Sequence, residues 1–307
     1  MMIKNKKKFL KDNLFVYSLI LYPLILFCIF WIATNFNSIL LAFQRIDGTG
    51  RHFNGLKNFK DFISSLFTDG DLLAYAFKNS ILWWAISLVL GFFVNTIYSY
   101  LIYKKCVGQK AIRFIVLIPS MMSGLVVSLV FLNMIGSSGL LPHLFKIFDI
   151  RDGRWISLLH TKKYAFATCF IFSFWTSLGS ALILIPNAMR GVNSEVIESA
   201  QIDGINNMFQ ELWYIILPLI WPTMSTFWVT GIAGIFSNAG PLMGFYDLSA
   251  PDYTYLMGYY WTRMIVYDST EIHYPLYAAG GLIITLIVAP LTIFVKWALE
   301  KFGPTTE

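Results

Sequence analysis

No Gly-Lys dipeptide occurs in the 307 residues, so the chain has no P-loop lysine to cradle nucleotide phosphates. A GxSxG nucleophile elbow and an HExxH metal helix are also absent. The four histidines (His52, His143, His160 and His273) stand far apart, without ligand spacing. Three cysteines (Cys28, Cys106 and Cys169) are too few, too separated and odd in number for a disulfide framework or a metal site. Charge is scarce, at 13% of residues, and the long apolar stretches hold none of the intramembrane Asp, Glu, Lys or Arg that ion-coupled carriers use. The net charge of +6 is scattered among these stretches, so no basic face exists for nucleic acid. What remains is a chain with no catalytic constellation and no energy source of its own.

What is abundant is apolar surface. Hydrophobic residues make up 57% of the chain, with 27 Phe and ten Trp, too much for a soluble globule and suited to lipid with interfacial aromatics. Leu14–Phe36 is a charge-free run behind a lysine-rich start (Lys4, Lys6, Lys7, Lys8, Lys11). It is longer than a signal-peptide core and spans a bilayer, so it is expected to be an uncleaved first transmembrane helix, kinked at Pro23. Five further charge-free stretches follow: Asn79–Tyr103, Phe114–Gly136, Tyr164–Pro186, Leu212–Tyr246 and Tyr274–Val295. The fifth exceeds one span and contains Pro218, Pro222, Gly240 and Pro241, so its ends are expected to be irregular. The expected fold is all-α and integral to the membrane, with six transmembrane helices and both termini on one side. The basic N-terminus and the short basic loop Lys104–Arg113 place that side in the cytoplasm. The segment Lys146–Lys163, on the opposite face, also carries five basic residues, so the first helix and the short loop set the orientation.

One segment breaks the apolar pattern. Glu195–Pro222 contains Glu195, Glu198, Asp203 and Glu211 but no Lys, and it reads as two short solvent-facing helices. Asn193 or Ser194 can cap the first, with Glu195 and Glu198 near its positive end. Gly204 after Asp203 can close it in the left-handed conformation. Asn207 and Gln210 have capping-box spacing for a second helix, and Pro218 and Pro222 mark the start of the next apolar stretch.

These residues resemble the "EAA" coupling loop of ABC-importer permeases, the carbohydrate-type inner-membrane components that depend on a binding protein. The matching positions are Glu198-Ser199-Ala200, Ile202-Asp203-Gly204, Phe209-Gln210 and Leu217-Pro218. Ser199 replaces the first Ala of the motif. The spacing from Gly204 to Pro218 is one residue longer than the pattern, and the extra residue is expected at Asn206-Asn207. Weaker phrases fit the same family in order: Gly55-Leu56-Lys57-Asn58-Phe59, Asn79-Ser80, Arg113-Phe114 through Pro119, Gly139-Leu140, and Trp175. The resemblance implies a tail, first helix and outer loop over residues 1–75, a permease core over 76–300 with the coupling loop at 187–217, and a tail at 301–307. It implies docking on cytoplasmic ATP-binding subunits through Glu198, Ala200, Asp203, Gly204, Phe209 and Pro218. It further implies a second permease subunit, an extracytoplasmic solute-binding protein, a sugar or oligosaccharide substrate, and ATP bound by the partner, with no cofactor in this chain.

The span residues fit a neutral polyhydroxylated ligand, because hydroxyls and amides lie among flat rings. Trp175, Asn95, Asn133, Thr176 and Asn238 are the expected substrate-path residues, with Trp83, Trp84 and Trp228 nearby in the pattern. Ser, Thr and Asn also join membrane helices to one another, so packing is the competing role. The Tyr-rich segment Tyr253–Trp261 is expected either in an interfacial aromatic belt or on an outer docking surface. A permease for a non-sugar solute stays open as an alternative. A secondary carrier would show intramembrane charge or an inverted repeat, and neither is found.

Overall fold

The computed structural model describes residues 15–148, 155–267 and 271–304; Lys4 to Lys11 lie outside them. Among the described residues, five helices are long and apolar enough to cross a membrane, or six if one bent pair counts as a single span. Residues up to 64 with 271–284 form one compact unit, and residues 65–267 with 285–304 form another.

In the first unit, helix α1 (Phe15–Ala42) has no buried residue in its most apolar window, as expected for a span facing lipid. It continues through Pro23 and widens to a π-turn over Phe27–Ile32. A two-stranded antiparallel hairpin follows, β1 (Gln44–Asp47) on β2 (Gly50–Phe53). Asp47 stabilises its turn, accepting hydrogen bonds from Thr49 N (3.0 Å) and Arg45 Nη2 (2.7 Å). The Thr49 hydroxyl and then Arg45 hold its carboxyl well below the usual range. Helix α2 (Lys57–Phe67) explains the Gly55–Phe59 phrase. Asn58 is buried, and its amide nitrogen donates to Ala42 O (2.8 Å) and Gln44 O (2.7 Å). It thereby satisfies a carbonyl at the end of α1 that would otherwise lack a partner.

The second unit begins with α3 (Leu72–Tyr103), N-capped by Asp71, whose side chain accepts from Leu73 N. The expected third span, Phe114–Gly136, is two helices instead: α4 (Gln109–Met121) and α5 (Gly124–Ile135). Met122 and Ser123 between them are extended, and Pro119 in the last turn of α4 removes a backbone donor just before the break. After α6 (Leu140–Ile147) comes α7 (Lys162–Arg190). The interhelical loop holds α8 (Ser194–Ile202) and leads into α9 (Met208–Leu219).

Helix α10 (Trp221–Ala233) is bent by 73° from α9 at Ile220. Pro222 forces that bend, since it lacks an N–H and its ring crowds the carbonyl of Pro218 four residues back. The expected fifth span therefore ends at Ala233, and the chain turns through Gly240 and Pro241 into α11 (Leu242–Tyr246) and α12 (Met257–Tyr267). The last helix, α13, covers Tyr274–Phe302.

The middle of the Tyr-rich segment is interior and forms no lipid-facing belt. Tyr255, Leu256, Met257 and Tyr259 are almost fully buried. Tyr259 donates through its hydroxyl to Asp247 O (2.8 Å) and accepts from Ala250 N (3.1 Å). Gly258 lies so close to the turn at residues 237–239 that a Cβ there would fall 2.5 Å from Ser237 O. The Asn79-Ser80 phrase holds this segment in place. Asn79 Nδ2 donates to Tyr253 O and Tyr255 O (both 3.0 Å), and Ser80 Oγ accepts from Met257 N (2.9 Å).

Candidate functional site

The interhelical loop is capped as its sequence requires. Asn193 Oδ1 accepts from Glu195 N (3.1 Å), and Asn207 Oδ1 accepts from Phe209 N (3.0 Å). At the end of α8, Ile205 N donates to Ala200 O (3.0 Å) and Gly204 N to Gln201 O (3.2 Å). These two bonds form a Schellman close, which needs a left-handed residue, and Gly204 supplies it at φ +103°.

The helix then divides the motif between two faces. Ile197 and Ala200 are buried, with Ile197 in a core cluster that includes Tyr98, Leu182 and Leu212. Glu195, Glu198 and Asp203 are exposed. So are Val196, Ile202, Met208 and Phe209, with Ile202 at 87% and Phe209 at 64%. This leaves a face of bare apolar side chains among three carboxylates. Pro218 is half-buried in the last turn of α9.

One expectation is corrected here. Glu211 is not part of the solvent-facing set: it is 6% exposed. Its carboxylate lies 2.6 Å (Oε1) and 2.8 Å (Oε2) from Lys104 Nζ at the end of α3. A lone buried carboxylate would be strongly destabilising, so this partner is what permits its position. Helix α9 runs as a π-turn over Glu211–Ile216, and a π-turn accommodates one additional residue within a helix. Its wider period places Glu211, Leu212, Ile216 and Leu217 together on the buried face.

A second feature lies between α3, α7 and α10. Trp84, Ser87, Leu88, Gly91, Phe92 and Asn95 follow one face of α3 at helical spacing and line a cavity of about 160 Å³. Met224, Phe227, Trp228 and Gly231 of α10 form the facing wall, and Ile185 of α7 adjoins. Gly91 and Gly231 leave the space: a Cβ at Gly231 would sit 3.9 Å from Trp84 Nε1, and one at Gly91 3.6 Å from Asn95 Nδ2. No charged side chain lines the cavity. Trp84 Nε1 and Asn95 Oδ1 are buried atoms without a hydrogen-bond partner among the described residues. One donor and one acceptor in an apolar, ring-lined space can take up the hydroxyls of a neutral ligand.

Of the five expected path residues, the cavity includes Asn95 alone. Trp175 is half-buried on α7, edge-on to Phe172 at 6.4 Å. Thr176 donates to Ser173 O (3.0 Å), Asn133 to Leu129 O (2.9 Å), and Asn238 accepts from Gly240 N (2.7 Å). Their polar groups are thus engaged locally. Ser87, Gly91 and Gly231 were not singled out from the sequence. The signal that finds Ser87 and Gly91 is the three-to-four-residue spacing Trp84–Ser87–Gly91–Asn95 along one span, and Gly231 stands at the same spacing from Trp228 and Phe227.

Residues 87–306 match the family described as the binding-protein-dependent transport system inner membrane component. The chain belongs to that family: it is a multi-pass membrane component of a transport system, not an enzyme. Among its relatives is the multiple sugar-binding transport system permease protein MsmF of Streptococcus mutans. It is 25% identical over 219 residues, which cover 70% of this chain and 72% of that protein. Another is the osmoprotective compounds uptake permease protein GgtC of Synechocystis, 27% identical over 201 residues and covering 63% of this chain and 67% of that protein. The fold is shared with a crystal structure of a bacterial ABC transporter involved in the import of the acidic polysaccharide alginate. The TM-score is 0.80 at 20% identity, over 96% of this chain and 98% of that one.

Proposed function

We propose that this chain is one permease of an ATP-driven importer for a sugar or oligosaccharide, working with a second permease and two cytoplasmic ATP-binding subunits. The observation that carries the reading is the capped helix–turn–helix, whose exposed Ile202 and Phe209 stand among Glu198, Asp203 and Glu195. An apolar patch with an acidic rim fits a groove that is apolar within and basic at its edge. The side carrying this loop is cytoplasmic, as the basic loop after α3 also implies. An extracytoplasmic binding protein delivers the solute on the opposite side.

In the cycle, ATP closes the ATP-binding subunits, the loops move with them, and the spans rock to open the path on the other face. The α3–α10 cavity is part of that path. Its rings, its unpartnered Trp84 and Asn95 atoms and its lack of charge favour a neutral polyhydroxylated solute over an acidic one. MsmF, whose name specifies multiple sugars, supports the same class. At about 160 Å³ the cavity is below the usual range of about 300–1,000 Å³ for ligand pockets, so it contacts one portion of an oligosaccharide at a time.

The test is purification of the tagged chain from its native membrane in mild detergent, followed by reconstitution with whatever accompanies it. An ATP-binding protein and a second multi-span protein should accompany it. The vesicles should then accumulate a radiolabelled neutral oligosaccharide from a panel only when ATP and the binding protein are present. Isolation without an ATP-binding partner would overturn the proposal.

A further inference from the structure

The ion pair Lys104–Glu211 joins the two features just described. Lys104 is the residue that ends α3, the helix whose other turns carry Trp84, Ser87, Gly91 and Asn95. Glu211 opens the π-turn of α9, directly after the exposed face formed by Met208 and Phe209, and α9 leads through the 73° bend into α10 with Trp228. Both carboxylate oxygens lie within 2.8 Å of the ammonium, which is further held over the rings of Tyr100 and Tyr103 at 5.9 and 5.8 Å. The pair is therefore short and doubly contacted, with the Glu211 carboxylate buried and the Lys104 side chain 27% exposed.

Beside it, Thr96 Oγ1 on α3 and Trp213 Nε1 on α9 are buried without partners among the described residues. Tyr100 also interacts with the Glu211 carboxylate across this seam, and the rest of it is mostly apolar, with Ile102, Leu212 and Ile216 in one buried cluster. Apolar side chains can slide past one another, whereas separating this ion pair leaves the buried Glu211 carboxylate uncompensated.

We propose that Lys104–Glu211 is a positioning latch that carries displacement of the interhelical loop into α3, so that the cavity wall moves with the loop. The inference rests on the coupling role proposed above. Without the latch, α9 could follow an ATP-binding subunit while α3 stayed behind. The π-turn is part of the device, because it places Glu211 and Ile216 on one buried face at a spacing that a regular α-helix does not provide.

The experiment uses the assembled complex in nanodiscs, with Cys28, Cys106 and Cys169 replaced by alanine and S87C as a reporter in the cavity wall. The readout is the labelling rate by a membrane-impermeant maleimide, with and without ATP and vanadate. In the parent, trapping should change the rate. In K104M and E211Q the trapping-dependent change should fall about fivefold or more, the low end of coupling between sites, while vanadate-sensitive ATP hydrolysis and subunit recovery persist. The reversed pair K104E/E211K should restore the change, which a loss of packing alone would not do.

A full trapping-dependent change in K104M or E211Q overturns the latch. Should the single variants fail to assemble, the apolar pair K104M/E211M decides, since replacing both charges removes the buried-charge penalty; an assembled apolar pair with the parental change also overturns it. If the parent itself shows no response to ATP and vanadate although partners are present, the coupling reading fails and the latch falls with it.

Discussion

Truncating two isoleucines of the same short helix should have opposite consequences. Ile197 is buried in the core cluster with Tyr98, Leu182 and Leu212, whereas Ile202, five residues on, is 87% exposed. If α8 seats on an ATP-binding subunit, Ile202 loses its water only in the complex. Burying such a side chain contributes about 1.5–3 kcal/mol, and Ala retains part of that, so Ile202→Ala should cost about 1–2 kcal/mol of docking. At about 1.4 kcal/mol per factor of ten, the dissociation constant rises roughly five- to thirtyfold, and the thermal midpoint of the free permease stays put. Ile197→Ala instead removes core packing and should cost about 2–5 kcal/mol of stability, with docking altered only through the folded fraction. The assay measures binding of the purified ATP-binding subunit to the permease in nanodiscs, beside thermal unfolding of the permease alone. Unchanged binding in the double variant Ile202→Ala with Phe209→Ala would refute the assignment of this face, whatever Ile197→Ala did.

The remaining expectations can be checked with the same preparations. Glu198→Lys reverses an exposed charge on the proposed docking face, so it should weaken retention of the ATP-binding subunit without affecting insertion; normal retention at low salt would count against the acidic rim. At Gly204 no atom lies within 4 Å of a built Cβ, so any penalty is conformational: Gly204→Asn should cost about 1 kcal/mol and Gly204→Val more, and equal transport by the two would contradict a left-handed turn. In α13, a Cβ at Gly280 would fall 2.3 Å from the Phe62 ring, whereas one at Gly281 meets nothing within 4 Å. Gly281→Ala should therefore stabilise by up to about 1 kcal/mol through helix propensity, and Gly280→Ala should destabilise by about 1–3 kcal/mol from overpacking, read as thermal midpoints shifted in opposite directions.

Much of this protein was legible because its strongest signals are local. Charge-free runs long enough to cross a bilayer need no tertiary information, since in lipid each helix satisfies its own backbone. The caps at Asn193 and Asn207 and the left-handed close at Gly204 are also local, set by side chains and dihedrals within a few residues.

What the sequence left open is what depends on partners distant along the chain. Asn58 and Asn79-Ser80 read as family phrases, and only the fold shows them satisfying backbone groups of α1 and of the loop before α12. Polarity placed Glu211 in solvent; Lys104, 107 residues away, is what lets it be buried. Trp175 and Asn95 were equivalent as mid-span polar and aromatic positions, and tertiary packing separated them, setting Trp175 against Phe172 and Asn95 into the space left by Gly91 and Gly231. Sequence alone thus determined the four unbroken spans and where the loop is capped, because those follow from burying apolar surface and satisfying nearby backbone groups, and it missed the break at Met122-Ser123 and the extent of the bent fifth span. The tertiary structure decided which polar side chains stay available for a ligand or partner, because that depends on which groups from other helices reach them first.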